Sequence, residues 1–321
     1  MNISIDGLTA EASRPNTQMT FTTRFCPICG SSDQSRVFAE ASIDPSKLDE
    51  FAFSSRKFPE YMHHRLVECP TCSVLYASPV IALPHLAQAY DEAAFDSGEE
   101  AHFAAKTYLR YLRPYFSSLT DRVGTLDIGT GDGAFLEELV NEGFRSVRGV
   151  EPSRAPIEAA ARDIRPLILH GVFDGSKFEK ESMSLVTCFQ TFEHLDDPLK
   201  MCREAFDILK PGGLIAIVGH DRTAFSARVL GKKSPIFDIE HLQLFSPASS
   251  RALLSRVGFE GITVKRISNI YPIHYWTKLF PLPNFVKKPI VRALKASWLG
   301  RASLSLSAGN MMAVGYRPLV T

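Results

Sequence analysis

At 321 residues the chain has room for one α/β domain and an appended smaller unit. Apolar residues form 45% of the chain and charged residues 22%, values typical of a folded globular protein, which excludes wholesale disorder. The 36 basic and 35 acidic residues give a formal net charge of +1, so no overall positive field attracts a nucleic-acid backbone.

The first 20 residues are polar and lack the basic start and apolar stretch of a signal peptide. We expect residues 1–20 to form a flexible tail. No run approaches the roughly 20 apolar residues of a membrane-spanning helix, so we expect no transmembrane segment. We expect a cytoplasmic location, and in that reducing compartment paired cysteines favour metal binding over disulfides.

Two Cys-x-x-Cys pairs lie within residues 21–80, among short strand-like pieces broken by Pro, Ser and Asp. Two thiolates at this spacing converge on one ion, and four satisfy tetrahedral Zn²⁺ without an open coordination position. The sequence predicts a small zinc-binding module with a structural site, held by Cys26, Cys29, Cys69 and Cys72. The 39 residues between the pairs indicate a less compact module than a common zinc ribbon. A ligand role for His63 or His64, redox-active thiols and a disulfide are the alternatives.

Residues 81–120 carry a helical pattern of apolar positions and predict a linker or cap. In residues 121–321, short apolar runs alternate with helical stretches, as in a parallel α/β sheet. The predicted strands are 123–128, 147–150, 166–169, 184–189, 214–218, 261–267 and 311–316, and helices are predicted to start near Asp132, Ser153 and Asp196.

The most specific motif runs from Asp127 to Gly133, between an apolar strand and a helix. Its glycines let the backbone turn sharply and approach a ligand closely. Glu151 ends the next strand, where a carboxylate can bind both ribose hydroxyls of an adenosine. The spacing also fits the dinucleotide fingerprint Gly-x-Gly-x-x-Gly/Ala. The Asp127 carboxylate would repel a pyrophosphate and attract the ammonium of a methionine moiety, and the loop lies in mid-chain, so S-adenosylmethionine is favoured over NAD.

Two further motifs flank the next strands: Gln190 to Pro198, which contains Glu193-His194, and Leu209-Lys210-Pro211-Gly212-Gly213. With the Asp-x-Gly-x-Gly-x-Gly loop, they make the chain resemble the class I S-adenosylmethionine-dependent methyltransferases over about residues 122–318. The resemblance implies an α/β, Rossmann-like seven-stranded sheet. It also implies a cofactor site with Asp127, Gly129, Thr130 and Gly131 at the methionine end, Glu151 at the ribose, Val172 and Phe173 beside the adenine and Gln190 beneath the sulfonium.

Three residues near these motifs have a structural interpretation. Glu193 and His194 either take part in the chemistry or form a hydrogen-bonding pair that caps the helix beginning near Leu195. Cys188 lies inside the fourth strand and is predicted to be a small core residue.

The cysteine module and the methyltransferase motifs together resemble bacterial enzymes that methylate sugars, often nucleotide-linked keto sugars, in antibiotic and surface-glycan pathways. Many of those enzymes carry a further C-terminal domain for which this sequence has no room. C-methylation of a keto sugar and O-methylation of a sugar hydroxyl therefore both stay open. Segments 220–258 and 269–303 are expected on the acceptor side.

Methyl transfer to a hydroxyl or an acidic carbon needs a base near the sulfonium. His241 is the predicted base, because it follows the fifth strand and imidazole titrates near working pH. A histidine that only fixes a loop is the alternative. His220 and Asp221 are the reserve candidates, since open α/β sheets place their sites at strand exits.

The fourth strand is followed by neither Asn-Pro-Pro-Tyr nor Asp-Pro-Pro-Tyr, which disfavours methylation of a base or amide nitrogen by that route, and by no Pro-Cys nucleophile for cytosine C5 chemistry. An RNA methyltransferase that reads nucleic acid through its zinc module is one competing hypothesis, and a non-catalytic cofactor-binding protein is another. Local support for RNA comes from a basic stretch that also suits a solvated helix face: Lys287, Lys288, Arg292, Lys295 and Arg301. The expected partner is therefore a small acceptor and not a nucleic acid.

Overall fold

A computed structural model of the chain describes residues 20–44, 62–82, 98–279 and 284–319. Most of the predicted tail, and residues 83–97 of the predicted linker, lie outside the described residues. The strands are β1 (Thr20–Thr22), β2 (Val37–Ala39), β3 (Leu66–Glu68), β4 (Leu75–Ala77), β5 (Val80–Ala82), β6 (Val123–Ile128), β7 (Arg145–Glu151), β8 (Ile168–His170), β9 (Met183–Phe189), β10 (Leu209–His220), β11 (Gln243–Leu244), β12 (Glu260–Pro272) and β13 (Ser303–Tyr316). The α-helices are α1 (Gly98–Leu112), α2 (Ala134–Asn141), α3 (Arg154–Ala159), α4 (Pro198–Ile208), α5 (Phe225–Leu230), α6 (Pro247–Val257), α7 (Ile273–Leu279), α8 (Asn284–Ala296) and α9 (Trp298–Arg301).

The largest sheet has seven strands in the order β12-β13-β10-β9-β6-β7-β8. Strands β6 to β10 run parallel, whereas β13 is antiparallel to both of its neighbours. All seven predicted strands are present, and the predicted α/β fold is confirmed. The direction of chain progression reverses between β6 and β9, and open α/β sheets bind ligands at such a switch point.

Helices cover both faces of this sheet. Apolar residues of α1 and α2, among them Leu112 and Leu136, form one buried cluster with one face of the strands. Apolar residues of α4 and α6 pack on the other face, for example Met201 and Leu253. Every residue of β9 is buried, as expected for a central strand covered on both sides.

Local signals account for several helix boundaries. Asp197 caps α4 by accepting a hydrogen bond from the Lys200 amide, and Ser246 forms a capping box with Ser249 at the start of α6. Gly258 ends α6 in the left-handed conformation. No helix among the described residues is long and apolar enough to cross a membrane.

The N-terminal part of the chain forms two small sheets. One pairs β1 with β5, and the other has the order β11-β4-β3-β2. The second sheet therefore contains β11, a strand that follows β10 of the seven-stranded sheet. Through this pairing the N-terminal segment is joined to the larger sheet region by backbone hydrogen bonds as well as by side chains.

The structure differs from the sequence prediction at several boundaries. Residues 165–167 form a 3-10 turn, so the strand predicted at 166–169 is displaced to Ile168–His170. Strands β12 and β13 are longer than predicted and extend to Pro272 and Ser303, because they pair with each other beyond the sheet core. The helix after the Glu-His motif begins at Pro198, and Asp197 is its cap. The hypothesis that Glu193 and His194 cap that helix is therefore wrong.

Candidate functional site

The glycine loop joins β6 to α2 at the switch point of the sheet. Its three glycines, Gly129, Gly131 and Gly133, all have positive φ, at 72°, 59° and 76°. A Cβ atom on Gly129 would collide with the Thr191 side chain, whereas one on Gly131 would meet nothing within 4 Å. Position 129 therefore requires glycine, because Thr191 leaves no space for a side chain. At position 131 the absence of a side chain leaves open space over the loop. Such a cradle fits a ligand that approaches the backbone closely.

Asp127 lies near the end of β6 and is 3% exposed. Thr187 Oγ1 donates a hydrogen bond of 2.6 Å to Asp127 Oδ1. Burial raises the pKa of Asp127 to about 6, and nearby Glu151 contributes in the same direction. A buried carboxylate with few partners is suited to binding a cation, as predicted for the ammonium of a methionine moiety.

Glu151 ends β7, the strand next to β6. Its two carboxylate oxygens accept hydrogen bonds from the amides of Gly131, at 2.8 Å, and Ser153, at 2.9 Å. These bonds orient the carboxylate toward the glycine loop, and burial raises its pKa. The predicted ribose ligand therefore stands beside the predicted methionine site.

The remaining predicted cofactor residues occupy neighbouring strand ends. Thr130 is buried in the loop, and Gln190, directly after β9, has a positive φ of 52° and donates from Nε2 to the Tyr108 hydroxyl at 3.2 Å. After β8, Val172 is 70% exposed, whereas Phe173 packs on Phe178 with ring centroids 6.0 Å apart. Roles for Val172 and Phe173 beside an adenine, and for Gln190 beneath a sulfonium, stay predictions.

The four paired cysteines come together in one cluster. Their sulfur atoms all lie within 4.8 Å of one another, and Cys29 Sγ is 3.6 Å from Cys69 Sγ. A tetrahedral ion with Zn–S bonds of about 2.3 Å holds its sulfurs about 3.8 Å apart, so this arrangement fits the metal. Neither His63 nor His64 belongs to the cluster.

The two cysteine knuckles have the same backbone geometry. In each knuckle the amide of the second cysteine points at the sulfur of the first, at 3.5 Å for Cys26 and 3.4 Å for Cys69. The residue after the second cysteine has a positive φ, 73° at Gly30 and 55° at Ser73. Amides directed at sulfur stabilise thiolates, which a metal site requires.

His241 lies between β10 and β11 in a cluster of histidines. Its Nδ1 donates to the Ile236 carbonyl at 2.8 Å, which leaves Nε2 with a lone pair. The His194 and His220 rings lie 4.9 and 5.4 Å from the His241 ring, centroid to centroid. Burial and the neighbouring His220 lower the pKa of His241, so its imidazole is neutral near pH 7.

The two reserve candidates have different surroundings. His220 Nδ1 donates to Asn310 Oδ1 at 3.0 Å, and burial lowers its pKa. The Asp221 carboxylate is 1% exposed, accepts from Thr223 and forms a 2.6 Å ion pair with Arg266 Nε.

Glu193 links the predicted cofactor and acceptor regions. Its Oε1 accepts from the His220 amide at 2.5 Å, Oε2 has no hydrogen-bond partner among the described residues, and burial raises its pKa. A Cβ atom on Gly219 would collide with this carboxylate, so β10 has a glycine at the contact.

Two polar groupings around this cluster were not predicted from the sequence. One is a buried chain in which Asn310 Nδ2 donates to Asn269 Oδ1 at 3.1 Å and Asn269 Nδ2 to the Tyr271 hydroxyl at 3.0 Å. The other is Gln243, fully buried, whose Nε2 donates to the carbonyls of residues 192, 193 and 195. In the sequence, these residues are marked only as polar positions beside apolar ones. Asn310 precedes Met311, and Gln243 lies between two leucines.

A model of the methyltransferase domain family matches residues 101–264, just over half of the chain. The chain belongs to the S-adenosylmethionine-dependent methyltransferases. The matched segment includes the glycine loop, Glu151, Gln190 and the histidine cluster, so family and geometry concern the same residues.

Curated relatives of this methyltransferase match over part of their length. A ubiquinone biosynthesis O-methyltransferase of Histophilus somni is 28% identical over 142 residues, which cover 40% of this chain and 59% of the relative. A probable S-adenosylmethionine-dependent methyltransferase of Mycolicibacterium smegmatis is 30% identical over 136 residues, covering 42% of this chain and 51% of the relative. The chain thus spans little more than half the length of these relatives.

Among solved structures, a methyltransferase of Thermotoga maritima described as a possible histamine N-methyltransferase is 23% identical. The superposed region covers 68% of this chain and 91% of the Thermotoga protein, with a TM-score of 0.45.

Proposed function

We propose that this methyltransferase transfers the methyl group of S-adenosylmethionine to a sugar or nucleotide-linked sugar, at a hydroxyl or an acidic carbon, with His241 as general base. The observation that carries the proposal is the fixed tautomer of His241. Its Nδ1 is committed to the Ile236 carbonyl, so the unprotonated Nε2 is available to accept a proton. Its lowered pKa keeps that nitrogen unprotonated at neutral pH.

The bound cofactor supplies an electrophilic methyl group on a sulfonium. The chain's own residues then have three tasks. Asp127 binds the ammonium and Glu151 the ribose, which sets the position of the methyl carbon. His241 removes the acceptor proton at Nε2, and the resulting imidazolium is stabilised by the buried carboxylate of Glu193, which acts on His241 electrostatically.

The surroundings of the histidine cluster support a polyhydroxylated acceptor. Three buried hydrogen bonds connect His220 to Asn310, Asn310 to Asn269 and Asn269 to Tyr271. These side chains supply amide and hydroxyl groups on the sheet face of the histidine cluster. Sites that bind hydroxyls use such donors and acceptors, and the burial of these groups makes an unpaired one costly.

We further propose one structural Zn²⁺ per chain, held by Cys26, Cys29, Cys69 and Cys72. Four sulfurs leave no open coordination position, so the ion would stabilise the fold and take no part in methyl transfer. Reduced thiolates also agree with the cytoplasmic location that we propose.

His241→Ala tests the proposal. Transfer of labelled methyl groups is measured with a panel of nucleotide-linked hexoses and keto hexoses, and cofactor affinity by calorimetry. We expect turnover to fall by about 10²–10⁴-fold at unchanged cofactor affinity. The wild-type rate should rise with pH through a pKa below about 6.5, because His241 must be neutral and its pKa is lowered, and this limb should vanish in the variant.

His102→Ala is the matched control, since His102 is exposed on α1 and should leave turnover unchanged. Loss of cofactor binding in His241→Ala would identify a structural histidine. Methylation of RNA without any sugar product would favour the competing RNA hypothesis.

A further inference from the structure

The charge of the chain is strongly segregated along the sequence. Residues 261–321 contain nine basic residues and no Asp or Glu, whereas the preceding 260 residues contain 27 basic and 35 acidic residues. The segment 222–237, which includes α5, also has no acidic residue. The net charge of the whole chain is therefore close to zero although residues 222–237 and 261–321 are cationic.

The same two segments expose large apolar side chains. Phe225 on α5 and Phe285 on α8 are each 82% exposed, and Trp298 on α9 is 79% exposed. Val229 and Leu230 follow on α5, and Leu304 and Leu306 on β13. Single exposed apolar residues are ordinary, but a group of this size marks an interaction surface.

Helical spacing places cations beside the exposed aromatic rings. On α5, Phe225, Arg228 and Val229 share one face, and on α8 Phe285, Lys288 and Arg292 do so. Lys232 and Lys233 lie in the 3-10 turn Gly231–Lys233 that follows α5. All five cations are exposed, and none forms an ion pair with a described residue. Lys232 and Lys233 also line a cavity with Glu40, Ser42 and His63.

The exposed groups follow one another in space. Helix α9 leads directly into β13, where Leu304 and Leu306 lie on one side of the strand. Gly309, three residues further on, lies against Ala224 and Ser226 at the start of α5. We call this the apolar-cationic surface, and it consists of Phe225, Val229, Leu230, Phe285, Trp298, Leu304 and Leu306 with Arg228, Lys232, Lys233, Lys288 and Arg292.

We propose that the apolar-cationic surface docks onto a bilayer containing anionic phospholipids. Exposed aromatic and aliphatic side chains insert at the headgroup boundary, and neighbouring Lys and Arg bind anionic headgroups. A second copy meeting the same surface by twofold symmetry would bring like charges together. RNA would use the cations and rings but gains nothing from Val229, Leu230, Leu304 and Leu306, which cannot stack on bases.

Docking in this way turns the acceptor side toward the membrane. Leu304 and Leu306 are paired with Tyr271 and Asn269 in the β12–β13 ladder, and directly paired residues share a sheet face. That face carries the chain of polar groups that leads to His220. The inference goes beyond the proposed function and does not depend on the identity of the acceptor.

Vesicle sedimentation with the full chain tests the proposal. The vesicles contain phosphatidylcholine alone or phosphatidylcholine with phosphatidylglycerol. We expect salt-sensitive binding to the anionic vesicles and little to the neutral ones. Lys232→Glu with Lys233→Glu should weaken binding at least about tenfold, and Phe225→Ser with Trp298→Ser by a similar factor. Val140→Ser with Lys180→Glu, an exposed apolar and cationic pair elsewhere, should bind like the wild type.

Cofactor affinity and the unfolding midpoint, measured for every variant, show that the fold is retained. Failure of the wild type to bind anionic vesicles, or equal binding by all variants, would overturn the proposal. So would a wild-type dimer that the Phe225→Ser/Trp298→Ser variant converts to a monomer, or retention of RNA in place of vesicles. Because vesicle binding needs no turnover, failure of sugar methylation would leave this result unaffected.

Discussion

The Asp127 carboxylate is the predicted ligand of the cofactor ammonium, and its pKa is raised toward neutral pH. The sequence places it two positions before the first glycine of the loop, and the structure buries it with Thr187 as its hydrogen-bond donor. Burial raises its pKa to about 6, close to neutral pH. A bound ammonium would favour the ionised form, so proton binding and cofactor binding at this site should compete.

We therefore expect cofactor affinity to fall as pH drops below about 6, approaching tenfold per pH unit, because only ionised Asp127 attracts the ammonium. Asp127→Asn should remove this dependence and weaken binding at pH 8 by about one to two decades, the value of a charge-assisted hydrogen bond. Calorimetric titrations across pH measure both effects. Asp163→Asn, an exposed carboxylate, is the control and should retain the wild-type profile. An affinity independent of pH in the wild type would contradict the assignment.

Residues of the cofactor site could be predicted because they lie in short contiguous motifs. Asp127, Gly129 and Glu151 are within 25 positions of one another and belong to adjacent strands. The acceptor side could not be predicted in this way. His220 meets Asn310 across 90 positions, and Gln243 meets the segment after β9 across about 50, contacts that depend on the order of strands in the sheet.

At the scale of elements, apolar periodicity predicted all seven strands of the central sheet, and the run at 123–128 with its observed bounds. Periodicity failed where strands leave the core. Residues 269–272 pair with residues 303–306 beyond the predicted strand ends, and the exposed side chains of residues 303–306 carry no burial pattern. The pairing of β4 with β11 could not be predicted from the sequence either, because strands of two or three residues are too short to show a periodic pattern.

That short pairing connects the cysteine cluster to the predicted base. Strand β4 follows the second knuckle, and Tyr76 is paired with Gln243 in β11. The Ala77 amide donates to the Leu242 carbonyl at 2.9 Å, and Arg24 donates to the same carbonyl at 2.8 Å. Leu242 is the next residue after His241. The position of the imidazole therefore depends on the N-terminal sheet.

We expect Cys72→Ser to lower turnover at least about tenfold while cofactor affinity changes by less than about threefold. Loss of one ligand weakens the metal site and releases β4, and a displacement of about 1 Å at a catalytic group can cost about 10²-fold. Single-turnover methyl transfer and calorimetry separate the two effects. Thr71→Ser, an exposed change between the same cysteines, should behave as the wild type. An equal loss of both properties would contradict a specific link to the acceptor side.

At the scale of the whole molecule, the cysteine module and the central sheet share one apolar cluster. Val67, Val74 and Tyr76 from the module pack in the same cluster as Phe192 and Phe245 of the larger region. Arg222, just after β10, adds hydrogen bonds to Glu68 and to the Ser73 carbonyl, at 2.6 and 2.7 Å. Folding of one part is thus coupled to folding of the other.

Removal of zinc should consequently lower the midpoint of a single unfolding transition and should not create a separate early transition for residues 21–80. The free energy of zinc binding contributes directly to folding at structural zinc sites. Because the module and the sheet share one apolar cluster, we expect zinc binding to stabilise both parts together. Saturating S-adenosylmethionine at about 100 times its Kd should raise the same midpoint by several degrees, since ligand binding adds about 2.7 kcal/mol to the native state. Differential scanning calorimetry of protein with and without chelator, at each cofactor concentration, measures both shifts. Two resolved transitions, only one of which responds to the cofactor, would show that the module and the sheet unfold independently despite their common cluster.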